Sequence, residues 1–152
     1  MTYAPPDDEL RAILDRTRSI AVVGLSSNPN RDSYRVAAFL QTRGFRIIPV
    51  NPNETEVLGE TAFPTLLDVG QPVDMVDVFR RPSVTPEVAE GAVAIGAPVL
   101  WLQLGIENDD ARRIAENAGL TVIMDLCIRT VVARLELEGA VRRDDEVRRQ
   151  GE

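Results

Sequence analysis

Five short apolar runs alternate with stretches of helical periodicity along this chain of 152 residues. Near-continuous apolar runs of this length are typical of strands in a parallel sheet that is covered on both faces. The alternation therefore predicts a single α/β domain with a doubly wound, five-stranded parallel sheet and right-handed crossovers. We expect the strand order 3-2-1-4-5, with helices on both faces. The five predicted strands are Ser19–Gly24, Phe45–Val50, Val73–Phe79, Pro98–Leu102 and Leu120–Met124.

The chain divides into three parts around this sheet. Residues 1–18 carry a helix from about Asp8 to Arg16, whose apolar side chains are expected to pack on the body. Residues 19–137 form the α/β domain. Residues 138–152 are dense in Arg, Asp and Glu, and they predict a charged tail that is either a solvated helix or a disordered end.

Polar residues mark where two of the helices begin. Asp32 or Ser33 can cap the helix after the first strand, and Asn108 or Asp109 can cap the helix before the fifth. Gly119 follows the second of these helices, as expected at a helix C-terminus.

The composition excludes several classes of function. The net charge of −7 argues against a nucleic-acid partner, because duplex binding needs many uncompensated cations. No apolar run approaches the ~20 residues that span a bilayer, so no membrane association is predicted. The absence of histidine removes Ser-His-Asp and Cys-His catalysis and histidine-ligated zinc. A single cysteine and no visible secretory signal indicate a cytoplasmic protein.

Doubly wound sheets bind ligands beyond the carboxyl ends of their strands, where the strand order reverses. Four polar segments of this sequence reach that edge. They are Gly24–Asn30, Asn51–Asn53, Phe79–Pro82 and Gln103–Gly105.

The segment after the first strand has the character of a phosphate-binding loop. Gly24 permits close backbone approach, and Ser26, Ser27 and the following amides can donate to phosphate oxygens at a helix N-terminus. The motif G-x-G-x-x-G is absent, because only Gly24 of the segment is a glycine. An ordinary βα loop, in which these side chains satisfy local backbone, stays open as the alternative.

Arg80 and Arg81 follow the third strand and precede Pro82. Two neighbouring guanidinium groups at the ligand-binding edge of an acidic protein form a local anion site that suits forked phosphate contacts. The alternative is a pair of surface arginines whose stems cover apolar surface.

Asn51 stands at the end of the second strand, where NAD-binding domains usually carry Asp or Glu to hold the ribose hydroxyls. A neutral corner of Asn51 and Pro52 would not repel a phosphate on that ribose. Together with the arginine pair, it favours a ribose that carries its own phosphate, although Asn-Pro is also a common turn.

Seven motifs follow one another in order between Ser19 and Arg129. They are Ile20–Ser26, Tyr34–Val36, Val50–Pro52, Leu58–Glu60, Val76–Pro82, Trp101–Gly105 and Val122–Cys127. Together they resemble the stand-alone CoA-binding domain proteins of bacteria and archaea, the YccU-like family. The resemblance implies a Rossmann-like fold, related to the CoA-binding domain of the succinyl-CoA synthetase α subunit, and coenzyme A as the ligand.

The resemblance also implies which residues line the ligand. The loop at Gly24 would face the pyrophosphate together with Arg35, the Asn-Pro corner would border the ribose, and the segment ending in the arginine pair would border the adenosine and its 3′-phosphate. Gln103 and Gly105 would line the pantetheine. The implied cofactor-binding residues are Gly24, Leu25, Ser26, Ser27, Arg35, Asn51, Pro52, Val78, Phe79, Arg80, Arg81, Gln103 and Gly105.

Two positions depart from the family pattern. Asn53 stands where the family often has a cation, and Leu126 stands where it usually has arginine. Loss of a direct phosphate contact would cost about 1 to 3 kcal/mol of binding free energy.

Cys127 and Asp125 offer chemistry beyond binding. Cys127 could form a mixed disulfide with the CoA thiol, although a half-buried structural cysteine is the simpler interpretation. Asp125 could orient a ligand, but with no partner base a strand-end carboxylate bonded to loop amides is favoured. Trp101 is expected in the core rather than as a stacking platform.

The predicted function is therefore non-catalytic binding of coenzyme A or acyl-CoA, with no metal site. An NAD(P)-dependent oxidoreductase or an accessory subunit of a split acyl-CoA synthetase is the alternative, and association into a homodimer stays open.

Overall fold

The structure is a computed structural model that describes residues 1–136; the predicted tail over 138–152 lies outside that range. Seven strands form a five-stranded parallel sheet and a separate two-stranded hairpin. The strands are β1 Ser19–Val23, β2 Arg46–Val50, β3 Glu56–Val57, β4 Glu60–Thr61, β5 Met75–Val78, β6 Val99–Leu102 and β7 Thr121–Ile123. The helices are α1 Asp7–Arg16, α2 Asp32–Thr42, α3 Thr85–Ala94, α4 Asp109–Asn117 and α5 over 128–136, with 3-10 turns at Leu66–Asp68 and Pro82–Val84.

Two apolar cores lie on the two faces of the sheet, which confirms the predicted α/β architecture. One joins α1, α2 and α5 to alternate strand residues such as Val22 and Trp101. The other joins α3 and α4 to strand residues such as Ala21 and Leu100. Because both faces are covered, every residue of β1 is buried.

The strand order differs from the prediction. The order is β2-β1-β5-β6-β7, which in the order of the predicted strands is 2-1-3-4-5, so the predicted 3-2-1-4-5 is wrong. Pro49 of β2 gives the physical reason, because proline has no amide proton for the ladder and suits an edge strand rather than an interior one. A single bridge from Phe63 covers the outer side of β2, where the Phe63 N–H donates to the Pro49 carbonyl over 2.9 Å.

In the observed order the chain reverses its direction across the sheet between β1 and β5, which are neighbouring, paired strands. The turn after β1 and the loop after β5 therefore leave neighbouring strands at the same edge. We call this edge, comprising residues 24–35 and 79–82, the switch point.

The opposite side of the sheet ends at β7. There Tyr3 forms an antiparallel bridge with Met124, with backbone hydrogen bonds of 3.0 and 2.8 Å. The chain continues from this arm into α1, whose Leu10, Ile13 and Leu14 are buried. No helix within residues 1–136 combines the length and apolarity needed to cross a bilayer.

The two helices with predicted caps begin differently. Asn108 caps α4 as predicted, since its side-chain oxygen accepts the Ala111 N–H at 2.9 Å. In α2 the N-cap position is Arg31, which makes no side-chain cap, so the predicted cap at Asp32 or Ser33 is wrong. The Ser33 hydroxyl instead accepts the Ser26 N–H from the preceding turn, at 3.1 Å.

Candidate functional site

The turn after β1 presses against the end of β5. Gly24 has φ +87°, and a Cβ there would lie 2.5 Å from the Phe79 carbonyl oxygen and 3.0 Å from Cδ of Arg80. The Gly24 N–H donates to the Val50 carbonyl at 2.8 Å. Glycine is therefore required here twice, by its backbone conformation and by the close approach of two neighbouring strands.

Most of the loop donors predicted for phosphate are already engaged within the chain. The Ser26 N–H donates to Ser33, and the Ser27 N–H and hydroxyl both donate to Oε1 of Glu54, at 3.2 and 2.9 Å. The loop is thus built to present donors to an acceptor, and one such acceptor is a carboxylate of this chain.

Asn51 ties the corner after β2 to the loop after β1. Its Nδ2 donates to the Leu25 carbonyl at 3.1 Å, and its Oδ1 accepts the Asn53 N–H at 2.9 Å. Both ends of the amide therefore serve the fold. Asn51 and Pro52 are themselves uncharged, and the carboxylate of Glu54, which follows them, turns back toward Ser27.

Arg80 and Arg81 share a cavity. Arg80 is half-buried, Arg81 is exposed, and neither pairs with a carboxylate among residues 1–136. Arg35 borders the same cavity and reaches Asp32 at 3.8 Å. Several guanidinium groups thus converge at the switch point of a chain whose net charge is −7.

Three adjoining cavities surround this cluster. The loop cavity, of about 460 Å³, is lined by Gly24, Ser26, Arg31 and Phe79 among others. The arginine cavity, of about 590 Å³, is bordered by Arg35, Phe79, Arg80, Arg81, Cys127 and Arg129. The apolar cavity, of about 520 Å³, is bordered by Val23, Val50, Pro52, Leu66, Arg80 and Val88.

Shared lining residues connect the cavities into one series. Phe79 borders both the loop cavity and the arginine cavity, and Arg80 borders both the arginine cavity and the apolar cavity. The polar and charged lining is concentrated in the loop and arginine cavities, and most of the apolar lining is in the third cavity, so a ligand that carries both phosphates and apolar groups would match the series.

Gln103 lies under the arginine cavity and links two elements of the fold. Its Nε2 donates to Oδ1 of Asp77, and its Oε1 accepts the Ile128 N–H of α5 at 3.3 Å. The other Asp77 oxygen has no hydrogen-bond partner in the part of the chain described. Burial raises the pKa of Asp77 to about 7, and the Gln103 hydrogen bond only partly opposes that effect.

Asp125 holds the loop after β6. Its Oδ1 accepts the Gly105 N–H at 2.7 Å, and its Oδ2 lies 3.1 Å from the Met1 ammonium group. The Gly105 hydrogen bond, followed by the ammonium group, holds the pKa of Asp125 below its ordinary value. The carboxylate bonded to a loop amide matches the favoured interpretation of Asp125.

Trp101 is fully buried, which confirms its predicted place in the core, and its Nε1 donates to the Leu126 carbonyl. Cys127 is half-buried and borders the arginine cavity. Its proposed disulfide chemistry stays a prediction.

The predicted site residues fall into three groups. The residues that border the three cavities are Gly24, Ser26, Arg35, Pro52, Phe79, Arg80, Arg81 and Gln103. Leu25 and Val78 are fully buried in the core. Ser27, Asn51 and Gly105 border none of the three cavities, and their hydrogen bonds serve the surrounding loops.

Sequence reasoning missed three charged residues at this edge: Arg31, Glu54 and Arg129. Arg31 and Arg129 border the loop and arginine cavities. The pair Leu58-Gly59, with φ of +55° and +77°, signals the turn between β3 and β4, but this hairpin does not by itself place Glu54 beside Ser27.

Comparison with known proteins gives consistent results. The CoA binding domain family matches residues 18–133. The Bacillus subtilis protein YneT is 45% identical over 129 residues, 85% of this chain and 96% of YneT. A solved structure from Pyrococcus horikoshii has a TM-score of 0.84 and 37% identity, covering 86% of this chain and 92% of the other. An ADP-forming acetate–CoA ligase from Methanocaldococcus jannaschii is 29% identical, covering 80% of this chain but 18% of the ligase.

Proposed function

The chain belongs to the CoA-binding domain family, and on that premise we propose that it binds coenzyme A or an acyl-CoA at the switch point without catalysing a reaction. The observation that carries the proposal is the pair Arg80 and Arg81, which have no carboxylate partner among residues 1–136 and stand beside the glycine turn between β1 and β5. Unpaired guanidinium groups beside a strand-to-helix turn are suited to phosphate.

The series of cavities suggests how the ligand lies. The pyrophosphate would occupy the loop cavity, where the uncapped N-terminus of α2 presents backbone N–H groups. The adenosine would enter the apolar cavity past Pro52, with its 3′-phosphate toward Arg80. The pantetheine arm would run through the arginine cavity toward Cys127.

The absence of histidine supports a binding role. The similarity to an acetate–CoA ligase covers only 18% of that enzyme, so this chain corresponds to its CoA-binding portion. A carrier, a sensor or an accessory subunit would each need only this portion.

We also place the protein in the cytoplasm, which its single cysteine supports.

An NAD(P)-dependent oxidoreductase is the second candidate, and one observation favours it. Glu54 supplies a carboxylate close after β2, where NAD-binding domains hold the ribose hydroxyls. The carboxylate is committed to Ser27, however, and the family match is to CoA binding. NAD should therefore bind more weakly than coenzyme A in the same titration.

Calorimetric titration with coenzyme A and with dephospho-CoA tests the leading proposal. The wild type should bind coenzyme A about tenfold more tightly, because only coenzyme A carries the 3′-phosphate. The double variant R80M/R81M keeps the apolar stems and should lose most of this preference. R112M/R113M, which removes two paired arginines of α4, is the matched control and should keep it. Equal affinity of the wild type for both ligands would overturn the proposed role of the arginines.

A further inference from the structure

The β1–α2 loop is hydrogen-bonded to a side chain from the connection between β2 and β3. Oε1 of Glu54 accepts both hydrogen bonds that Ser27 can donate, 3.2 Å from the backbone nitrogen and 2.9 Å from the hydroxyl. A carboxylate and a phosphate present the same kind of acceptor, an anionic oxygen. Ser27 directly follows Ser26, which borders the loop cavity, so Glu54 occupies donors beside the position proposed for the pyrophosphate.

The backbone around Glu54 is fixed on both sides. The Glu54 N–H donates to the Asn51 carbonyl at 3.2 Å, and the adjacent Thr55 carbonyl accepts the Ala62 N–H of the hairpin at 2.9 Å. Asn51 in turn holds the Leu25 carbonyl. The contact with Ser27 is therefore built by the fold, and rotation of the half-buried Glu54 side chain alone can release it.

We propose that Glu54 is an internal competitor for the phosphate groups of the ligand, holding the Ser27 donors in the free protein and swinging away when the ligand binds. This inference rests on the proposed function. Two effects act in the same direction: the Ser27 hydrogen bonds must be exchanged, and a carboxylate that stayed beside a pyrophosphate would repel it. Glu54 thereby raises the ligand concentration needed to fill the site.

The test compares the affinities of E54A, E54Q and the wild type for coenzyme A and for inorganic pyrophosphate by calorimetry. E54A frees both Ser27 donors and should bind coenzyme A about fivefold more tightly, the equivalent of one modest hydrogen bond. E54Q should gain less, because its amide oxygen still accepts from Ser27. Pyrophosphate should show the same order of variants at lower affinity.

E56A is the matched control. Glu56 is an exposed carboxylate two residues further along, in β3, and its removal changes the net charge equally. We expect its affinity for coenzyme A to stay within about twofold of the wild type, since an exposed charge at this distance is largely screened.

The outcomes separate the two proposals. If the wild type binds coenzyme A and E54A binds it no more tightly, or if E56A gains as much as E54A, the role of Glu54 is overturned while the proposed function stands. If neither the wild type nor any variant binds coenzyme A, the proposed function fails, and this inference fails with it. Binding by E54A where the wild type shows none would support both.

Discussion

Arg112 and Arg113 lie on α4 at the β7 end of the sheet, and both pair with carboxylates one turn away on the same helix. Arg80 and Arg81 lie at the switch point and pair with no carboxylate in the described range. The helix at the β7 end is capped by a side chain, whereas α2 at the switch point is not. The first region satisfies its own charges and helix donors. The second leaves the arginine pair without a carboxylate and the start of α2 without a side-chain cap, although the loop before α2 satisfies its own donors.

Alanine substitutions in the glycine turns of the two regions should give the largest difference in folding free energy. Gly24 and Gly119 have almost the same φ, +87° and +89°, but a Cβ at Gly119 would meet no atom within 4 Å. G119A should cost roughly 1–2 kcal/mol of folding free energy through its backbone conformation alone. G24A should cost about 4 kcal/mol, because its Cβ would also meet the Phe79 carbonyl. Urea denaturation of both variants measures the difference. Equal costs would show that the close approach of Gly24 to the Phe79 carbonyl does not destabilise G24A.

The second largest difference between the regions should be in the pH dependence of stability, compared at Asp77 and at Asp109 of α4. Burial raises the pKa of Asp77 from 3.8 to about 7, so the folded protein holds a proton that the unfolded chain releases at lower pH. The contribution of Asp77 to stability is therefore full below about pH 4 and lost by about pH 7, at up to ~1.4 kcal/mol per pH unit.

The variant D77N should abolish this loss. Its stability relative to the wild type should rise by about 2 kcal/mol between pH 5 and pH 7 and then level off. D109N, which removes an exposed carboxylate of α4, should follow the wild-type profile. Parallel curves for D77N and the wild type in denaturation at pH 5, 6, 7 and 8 would show that Asp77 is charged throughout.

Helix capping should give the smallest effect. N108A removes the cap of α4 and should cost about 1 kcal/mol of folding free energy. R31A changes the N-cap position of α2, where no side-chain cap exists, and should cost only a few tenths. Thermal unfolding of both variants measures the contrast. A cost for R31A as large as that for N108A would mean that the Arg31 side chain stabilises the start of α2.

Much of the fold could be predicted because parallel strands covered on both faces need continuous apolar runs. The strand order could not be obtained from those runs, although Pro49 carried a signal that β2 is an edge strand. The arginine pair could be placed because it directly follows a strand. Glu54 could not, because its contact with Ser27 spans 27 residues and depends on the hairpin after β2.

The bridge between Tyr3 and Met124 has a consequence for self-association. A bare outermost strand offers a row of free backbone groups onto which another molecule can add its own strand. Here the N-terminal arm pairs with Met124 directly after β7, and Phe63 pairs with the last residue of β2, so both margins of the sheet are partly covered within one molecule. Copies of this protein should therefore add strands to these margins less readily than to a bare outermost strand.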